Sequence, residues 1–180
     1  APILFAAAKL LQEQMPDVGF WLPLAAPRYR RSLLQQASRA GIKVTVLDPQ
    51  AMPSPHYALA AADLVLAKSG TVNLETALLS VPQVVVYRVH PFTYWLARHV
   101  LRFSVPFISP PNLVLMRPII PEFLQKEAQA ERVAQEGSEL LTNPQRRAQL
   151  LQDYQQMRLM LGEPGVLQRA ASEILKLLKT

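Results

Sequence analysis

Three consecutive residues, Ser69-Gly70-Thr71, stand between an apolar run and a helix-like segment in "LAKSGTVNLETALLSVPQVVVYR", and a glutamate follows at position 75. Two hydroxyls flanking a glycine suit phosphate oxygens, because the hydroxyls donate and the glycine lets the backbone come close to a ligand. At a strand-to-helix junction the helix N-terminus adds unpaired N–H groups and a partial positive charge. The same residues also make an ordinary N-cap with a permissive glycine, and on spacing alone that is the simpler account. Ser-Gly-Thr is far less specific than a Walker loop.

Glu75 adds a second consideration. With Thr71 as N-cap, a capping box requires its acid at position 74, which is leucine, so Glu75 is not the reciprocal cap. Lying four residues past Thr71, it shares that residue's helix face one turn further in. A phosphate held at the helix N-terminus would bring an attached ribose toward this carboxylate, which can accept from both ribose hydroxyls. A first-turn acid favoured by the helix dipole explains Glu75 equally well.

Other chemistries find little support. The chain has no cysteine, which excludes disulfides and thiolate metal sites and fits a cytoplasmic protein. His56, His90 and His99 show neither HxH nor HExxH spacing, so no bound metal is expected. His56 reads as a polar edge residue on a short helix, and Asp63 as a strand-entry turn residue. No run reaches the roughly 18 apolar residues of a membrane span, and the N-terminal "APILFAAAKLLQEQM" lacks the basic opening of a signal peptide.

The net charge of +6 and pI near 9.9 point to an anionic partner. Between Glu75 and Glu122 there is no acidic residue, while Arg88, Arg98, Arg102 and Arg117 lie in that interval with two of the histidines. Aromatic residues Tyr87, Phe92, Tyr94, Trp95, Phe103 and Phe107 share it. On a helix from Phe92 to Phe103, Arg98 and Arg102 form an i, i+4 pair with Trp95 one turn before Arg98. Such a face suits an anionic membrane surface, and it also suits a half-buried helix with solvated arginines. Nucleic acid is not expected, since no helix-turn-helix or RNA-binding motif accompanies the charge.

The elements that must position these residues alternate between short apolar runs and longer helical patterns, the rhythm of a parallel α/β sheet. Strands are expected at Gly19–Leu22, Lys43–Leu47, Asp63–Ala67 and Gln83–Tyr87, and helices at Ile3–Gln14, Pro27–Ala40, Ser54–Ala61 and Val72–Leu79. A doubly wound unit normally opens on a strand, so a strand is expected upstream of the first helix. The start at Ala1 rather than Met reads as a fragment or a processed product. From position 119 on, "PEFLQKEAQAERVAQEGSELL", "PQRRAQLLQDYQQMRLML" and "VLQRAASEILKLLK" read as three helices separated by "TNP" and "GEPG". One domain over 1–180 is expected, an α/β part over 1–118 and a helical part over 119–180.

The order SGT-x-x-LE, a strand ending "YR", "PFT-x-W-LA", and "PNL" ahead of "EFLQ" resembles the C-terminal half of lipid-A-disaccharide synthases, glycosyltransferases of the GT-B type. The resemblance runs from about Ala1 to Leu124 and fades in the C-terminal helices. It implies a Rossmann-like, doubly wound GT-B C-terminal domain that binds a UDP-diacylglucosamine donor for transfer to an acylated sugar phosphate. It further implies that Ser69, Gly70 and Thr71 hold the UDP diphosphate and Glu75 the ribose. Arg88 would supply charge at the diphosphate, and Asn112, on a neighbouring loop, a polar contact to the sugar nucleotide. No cofactor or metal is implied, so N–H groups and positive charge would stabilise departing UDP.

Because the family's substrates are acylated, the resemblance favours the membrane reading of Trp95, Arg98 and Arg102 and a peripheral site on the inner face of the cytoplasmic membrane. Family members carry a Gly-Ser-Arg loop just before the first helix here, and an N-terminal acceptor domain, and both are expected to be absent from this chain. The catalytic residues are left unassigned, and the chain is expected not to turn over alone. A homo-oligomer is compatible with this reading. Two alternatives stay open: the donor half of another UDP-sugar transferase acting on a glycolipid or peptidoglycan precursor, and a non-catalytic nucleotide-binding or assembly module.

Overall fold

Helix-forming Ala and Leu residues open the chain, and the computed structural model, which describes residues 2–48, 50, 54–89 and 106–177, begins with helix α1 over Pro2–Gln14. Strand β1 (Trp21–Pro23), helix α2 (Arg30–Arg39) after a 3₁₀ turn at Pro27–Tyr29, and strand β2 (Thr45–Leu47) follow. Then come α3 (Pro55–Ala60), β3 (Val65–Lys68), α4 (Thr71–Leu78), β4 (Gln83–Tyr87) and α5 (Pro110–Leu115). Strand β5 (Glu122–Leu124) and helices α6 (Ala130–Thr142), α7 (Pro144–Leu161) and α8 (Val166–Leu177) complete the described chain. Each expected strand and helix before residue 80 is present, with ends displaced by up to three residues.

Among the described residues the strands form two parallel sheets, β1-β2 and β3-β4-β5. The α/β character with a parallel sheet and a helical C-terminal segment is therefore as the sequence predicts. One boundary is corrected. "PEFLQ" opens not a helix but β5, whose Val85↔Glu122 and Tyr87↔Leu124 pairing adds a third strand to the sheet, and the helix starts only at Ala130. Phe123 is buried there. The propensity of Glu, Leu and Gln for helix is overridden by the ladder that β4 offers.

Strand β4 is buried from Gln83 to Val86, as expected of a strand covered on both faces. Helix α6 packs on it and against α1, while α4 packs on β3 and β4 and against α5 and α7. The main core joins Leu11, Val84, Val85, Ile119, Ile120, Val133, Leu140, Leu150, Tyr154 and Met157. A smaller cluster of Phe5, Ala8, Ala37 and Ile42 lies under α1 and α2, with Phe20 touching both clusters. Helix α1 thus binds the two sheets into one body. Its close approach to α6 depends on Gly137, where a Cβ would come within 3.1 Å of Leu64 and 3.3 Å of Leu11.

One polar cluster crosses this core. Gln83, at the start of β4, donates from Nε2 to the Asn73 carbonyl (2.8 Å) and to Tyr154 Oη (3.2 Å), tying α4 and α7 to the sheet. Burial pushes the Tyr154 phenol well above its ordinary value, only partly offset by the hydrogen bond from Gln83. Helix α8 contributes nothing to the core; all of its described residues are exposed.

Candidate donor-nucleotide site

In a parallel sheet the carboxyl ends of the strands lie on one side, and there the turn after β3, the end of β4 and the segment before α5 come together. The Ser69 N–H donates to the Val86 carbonyl at 3.0 Å, carrying the β3–β4 ladder one residue past β3. The Ser69 hydroxyl donates to the Ile108 carbonyl at 3.1 Å. The proton that the sequence reading reserved for a phosphate is thus used to tie the β3 turn to the segment ahead of α5.

That segment is clamped from the other side by Glu122 at the start of β5. Its carboxylate accepts from the Ile108 N–H (3.0 Å), the Ser109 N–H (2.9 Å) and the Ser109 hydroxyl (2.5 Å). Ser109 itself is fully buried. Neither Glu122 nor Ser109 stands out in the sequence, since a carboxylate satisfied by local N–H groups has no signature in spacing.

Helix α4 is capped by Gly70 rather than Thr71, which corrects the register assumed from the sequence. Thr71 is the first helical residue and Asn73 the third. Asn73 Oδ1 accepts from the Gly70 N–H at 2.8 Å while the Asn73 N–H donates to the Gly70 carbonyl at 3.2 Å, so a reciprocal cap exists with asparagine in the role reserved for an acid. Thr71 and Val72, as the first two helical residues, have no carbonyl one turn behind them for their N–H groups.

Gly70 is extended, at φ 170° and ψ −172°, a conformation open to any residue. Among the described residues, a Cβ built there would meet nothing within 4 Å. None of them therefore requires glycine at position 70.

Glu75 lies one turn further along α4, as the spacing predicts, and half-exposed. Its Oε2 is 3.2 Å from His56 Nε2 of α3. His56 is thus more than the polar edge residue the sequence indicated. Arg88, just past β4, is exposed and makes no ion pair among the described residues. It lines an open groove of about 1110 Å³ with Phe107, Glu122, Leu124 and Lys126.

Asn112 is placed differently from the sequence expectation. It sits on α5 rather than on a loop and is fully buried. Its Nδ2 donates to the Ile120 carbonyl (3.0 Å), and its Oδ1 accepts from the N–H groups of Ile119 (2.8 Å) and Ile120 (2.9 Å). The side chain latches α5 to the strand-entry segment of β5. Next to it Arg117 donates to Asp153 Oδ1 and Gln156 Oε1, both at 2.7 Å, and its pKa is raised chiefly by the hydrogen bond to Asp153.

Trp95, Arg98 and Arg102 lie outside the described residues, with His90 and His99. Among the described residues no group of three or more His, Asp or Glu side chains could hold a metal ion, and no helix is long and apolar enough to cross a membrane.

Parallel strands with a capped helix N-terminus and a carboxylate one turn on at their carboxyl edge define the class: a Rossmann-like α/β domain, consistent with the C-terminal domain of a GT-B transferase. Comparison with known families narrows this further. The family model described as lipid-A-disaccharide synthetase matches residues 1–176, and the chain belongs to that family.

Among curated relatives, a lipid-A-disaccharide synthase of Gloeothece citriformis is 52% identical over 174 residues, covering 97% of this chain and 44% of the relative. The Synechocystis sp. relative of the same name is 47% identical, again over 97% and 44%. One from Neisseria meningitidis serogroup C is 37% identical over 164 residues, 89% of this chain and 41% of the relative. The chain spans less than half the length of these relatives.

Proposed function

We propose that this chain is the donor-binding half of a lipid-A-disaccharide synthase, holding the UDP of a UDP-diacylglucosamine donor at the end of β3. The diphosphate would lie over Gly70 against the N–H groups of Thr71 and Val72 and the Thr71 hydroxyl, with Glu75 accepting from the ribose and Arg88 supplying charge. The observation that carries the reading is Gly70: none of the described residues needs glycine there, and they leave the space in front of it open. A backbone kept bare for close approach is what a diphosphate on a helix N-terminus requires. Asn112 then serves the site by fixing α5, and the Ser69 hydroxyl by fixing the facing segment.

In the proposed transfer an acceptor hydroxyl attacks the anomeric carbon, its proton passes to a base outside this half, and the anomeric C–O bond breaks with its electron pair leaving on UDP. Helix α4 and Arg88 would meet the charge that develops on the leaving diphosphate. The acceptor is an acylated sugar phosphate bound by the other half, so the chain alone would bind donor without turnover. The segment containing Trp95, Arg98 and Arg102 is proposed, from its sequence, to rest on an anionic membrane surface.

Titration of the ¹⁵N-labelled chain with UDP tests the donor site. Amides from Ser69 to Glu75 should shift, and Glu75→Ala should weaken UDP by about tenfold or more, the loss of hydrogen bonds to a charged group. Millimolar UDP that leaves these amides unmoved would overturn the reading.

A further inference from the structure

The pairing of α3 with α4 sets a proton arrangement that the sequence does not reveal. A carboxylate only accepts, so His56 Nε2, 3.2 Å from Glu75 Oε2, carries the hydrogen. In the neutral ring Nδ1 is then a lone pair, and Ser54 Oγ, 2.8 Å away, donates its proton there. The same Oγ accepts from the His56 backbone N–H at 3.3 Å as the N-cap of α3, with Pro55 in the first helical turn. The imidazole is therefore held at both nitrogens, and the cap of its own helix orients it.

Among the described residues only Oε2 of the Glu75 carboxylate is engaged, which leaves Oε1 and further lone pairs for another donor. Both side chains are about half-exposed, so Glu75 without a partner would sample several rotamers. No other charged group lies on α3 or α4, and none on β1, the strand packed on α3. Lys68, exposed at the end of β3, is the remaining charge on the strand packed against α4.

We infer that His56 is a positioning residue for the nucleotide site: it fixes Glu75 so that the free carboxylate oxygen meets the ribose hydroxyls, and thereby selects ribonucleotides over 2′-deoxyribonucleotides. The inference rests on the reading of Glu75 as the ribose contact. Its physical basis is preorganisation, since an acceptor already held in place orders fewer side-chain rotamers on binding. Ser54 is the second member of the device, acting on Glu75 only through the ring.

Calorimetric titration of the 180-residue chain with UDP and with 2′-deoxy-UDP tests it. The unmodified chain should bind UDP about fivefold more tightly than 2′-deoxy-UDP, the worth of one added hydrogen bond to a carboxylate. His56→Ala should bring the two within about twofold, with the loss falling on UDP, and His56→Gln, which keeps a donor at similar reach, should restore part of the difference. In a Glu75→Ala background, His56→Ala should change nothing further. Three results would overturn the assignment: no preference in the unmodified chain, an equal loss for both nucleotides in His56→Ala, or a preference intact in His56→Ala but lost in Glu75→Ala. Failure of the unmodified chain to bind either nucleotide, or a preference surviving Glu75→Ala, would strike instead at the donor-site reading on which the assignment stands.

Discussion

Replacing Asn112 by alanine separates the role the geometry gives this residue from the ligand contact that the family resemblance implies. The substitution leaves the Ile120 N–H and the Ile120 carbonyl without partners, at a position 1% exposed, while the Ile119 N–H keeps its bond to the Arg117 carbonyl. Each orphaned group costs about 1–3 kcal/mol, and partial relaxation keeps the two neighbouring groups near the low end, for a loss of about 3 kcal/mol. With a urea m-value of about 2 kcal/mol/M the unfolding midpoint should fall by about 1.5 M. Asn112→Asp, which keeps an acceptor for both N–H groups but loses the donated bond, should fall between the two. Hydrogen exchange at Ile120 should accelerate in parallel. A midpoint shift under about 0.5 M for Asn112→Ala would refute the latch, because the side chain would then be free to serve a ligand at little cost to the fold.

Two further outcomes follow from the same hydrogen bonds. Glu122→Gln keeps one acceptor oxygen where three bonds now converge, and exchange of the Ile108 and Ser109 amides should rise by about tenfold, equivalent to about 1.4 kcal/mol. Unchanged protection of both amides would show the clamp to be idle. Tyr154 has its folded-state pKa raised, so the stability it contributes is fully present below the ordinary tyrosine value of 10.0 and is lost as pH climbs beyond it. Tyr154→Phe should accordingly flatten the decline in stability above about pH 10 in urea titrations, at a cost of about 1 kcal/mol at neutral pH from the lost Gln83 bond. A decline of equal steepness in both proteins would assign it to other groups.

Periodicity and turn residues carried most of the α/β frame. The apolar runs ahead of Ser69 and Arg88 are the β3 and β4 strands, and "AGIK" and "TNP" mark real element ends. What periodicity could not show was β5, because "EFL" is a strand only where β4 supplies its hydrogen bonds, a fact about a partner more than thirty residues away in the chain. The site divides in the same way. Gly70, Thr71 and Glu75 were legible because one helix turn relates them. The Ser69 bond to Ile108, the Asn112 latch and the His56–Glu75 pair were not, since each joins segments whose approach is set by the packing of α3, α4 and α5. The cap register failed by one residue because asparagine at position 73 does the work that the expected pattern assigns to an acid.

The bond from Ser69 to Ile108 and the Glu122 clamp make the turn after β3 sensitive to the register of the whole sheet. Ser69 follows β3 and is bonded to Val86 of β4, while Glu122 opens β5 and holds Ile108 and Ser109, so the segment facing the turn takes its position from three strands at once. A slip of β5 by one residue would carry Glu122 to the other face of the sheet and release that segment with no change in the turn itself.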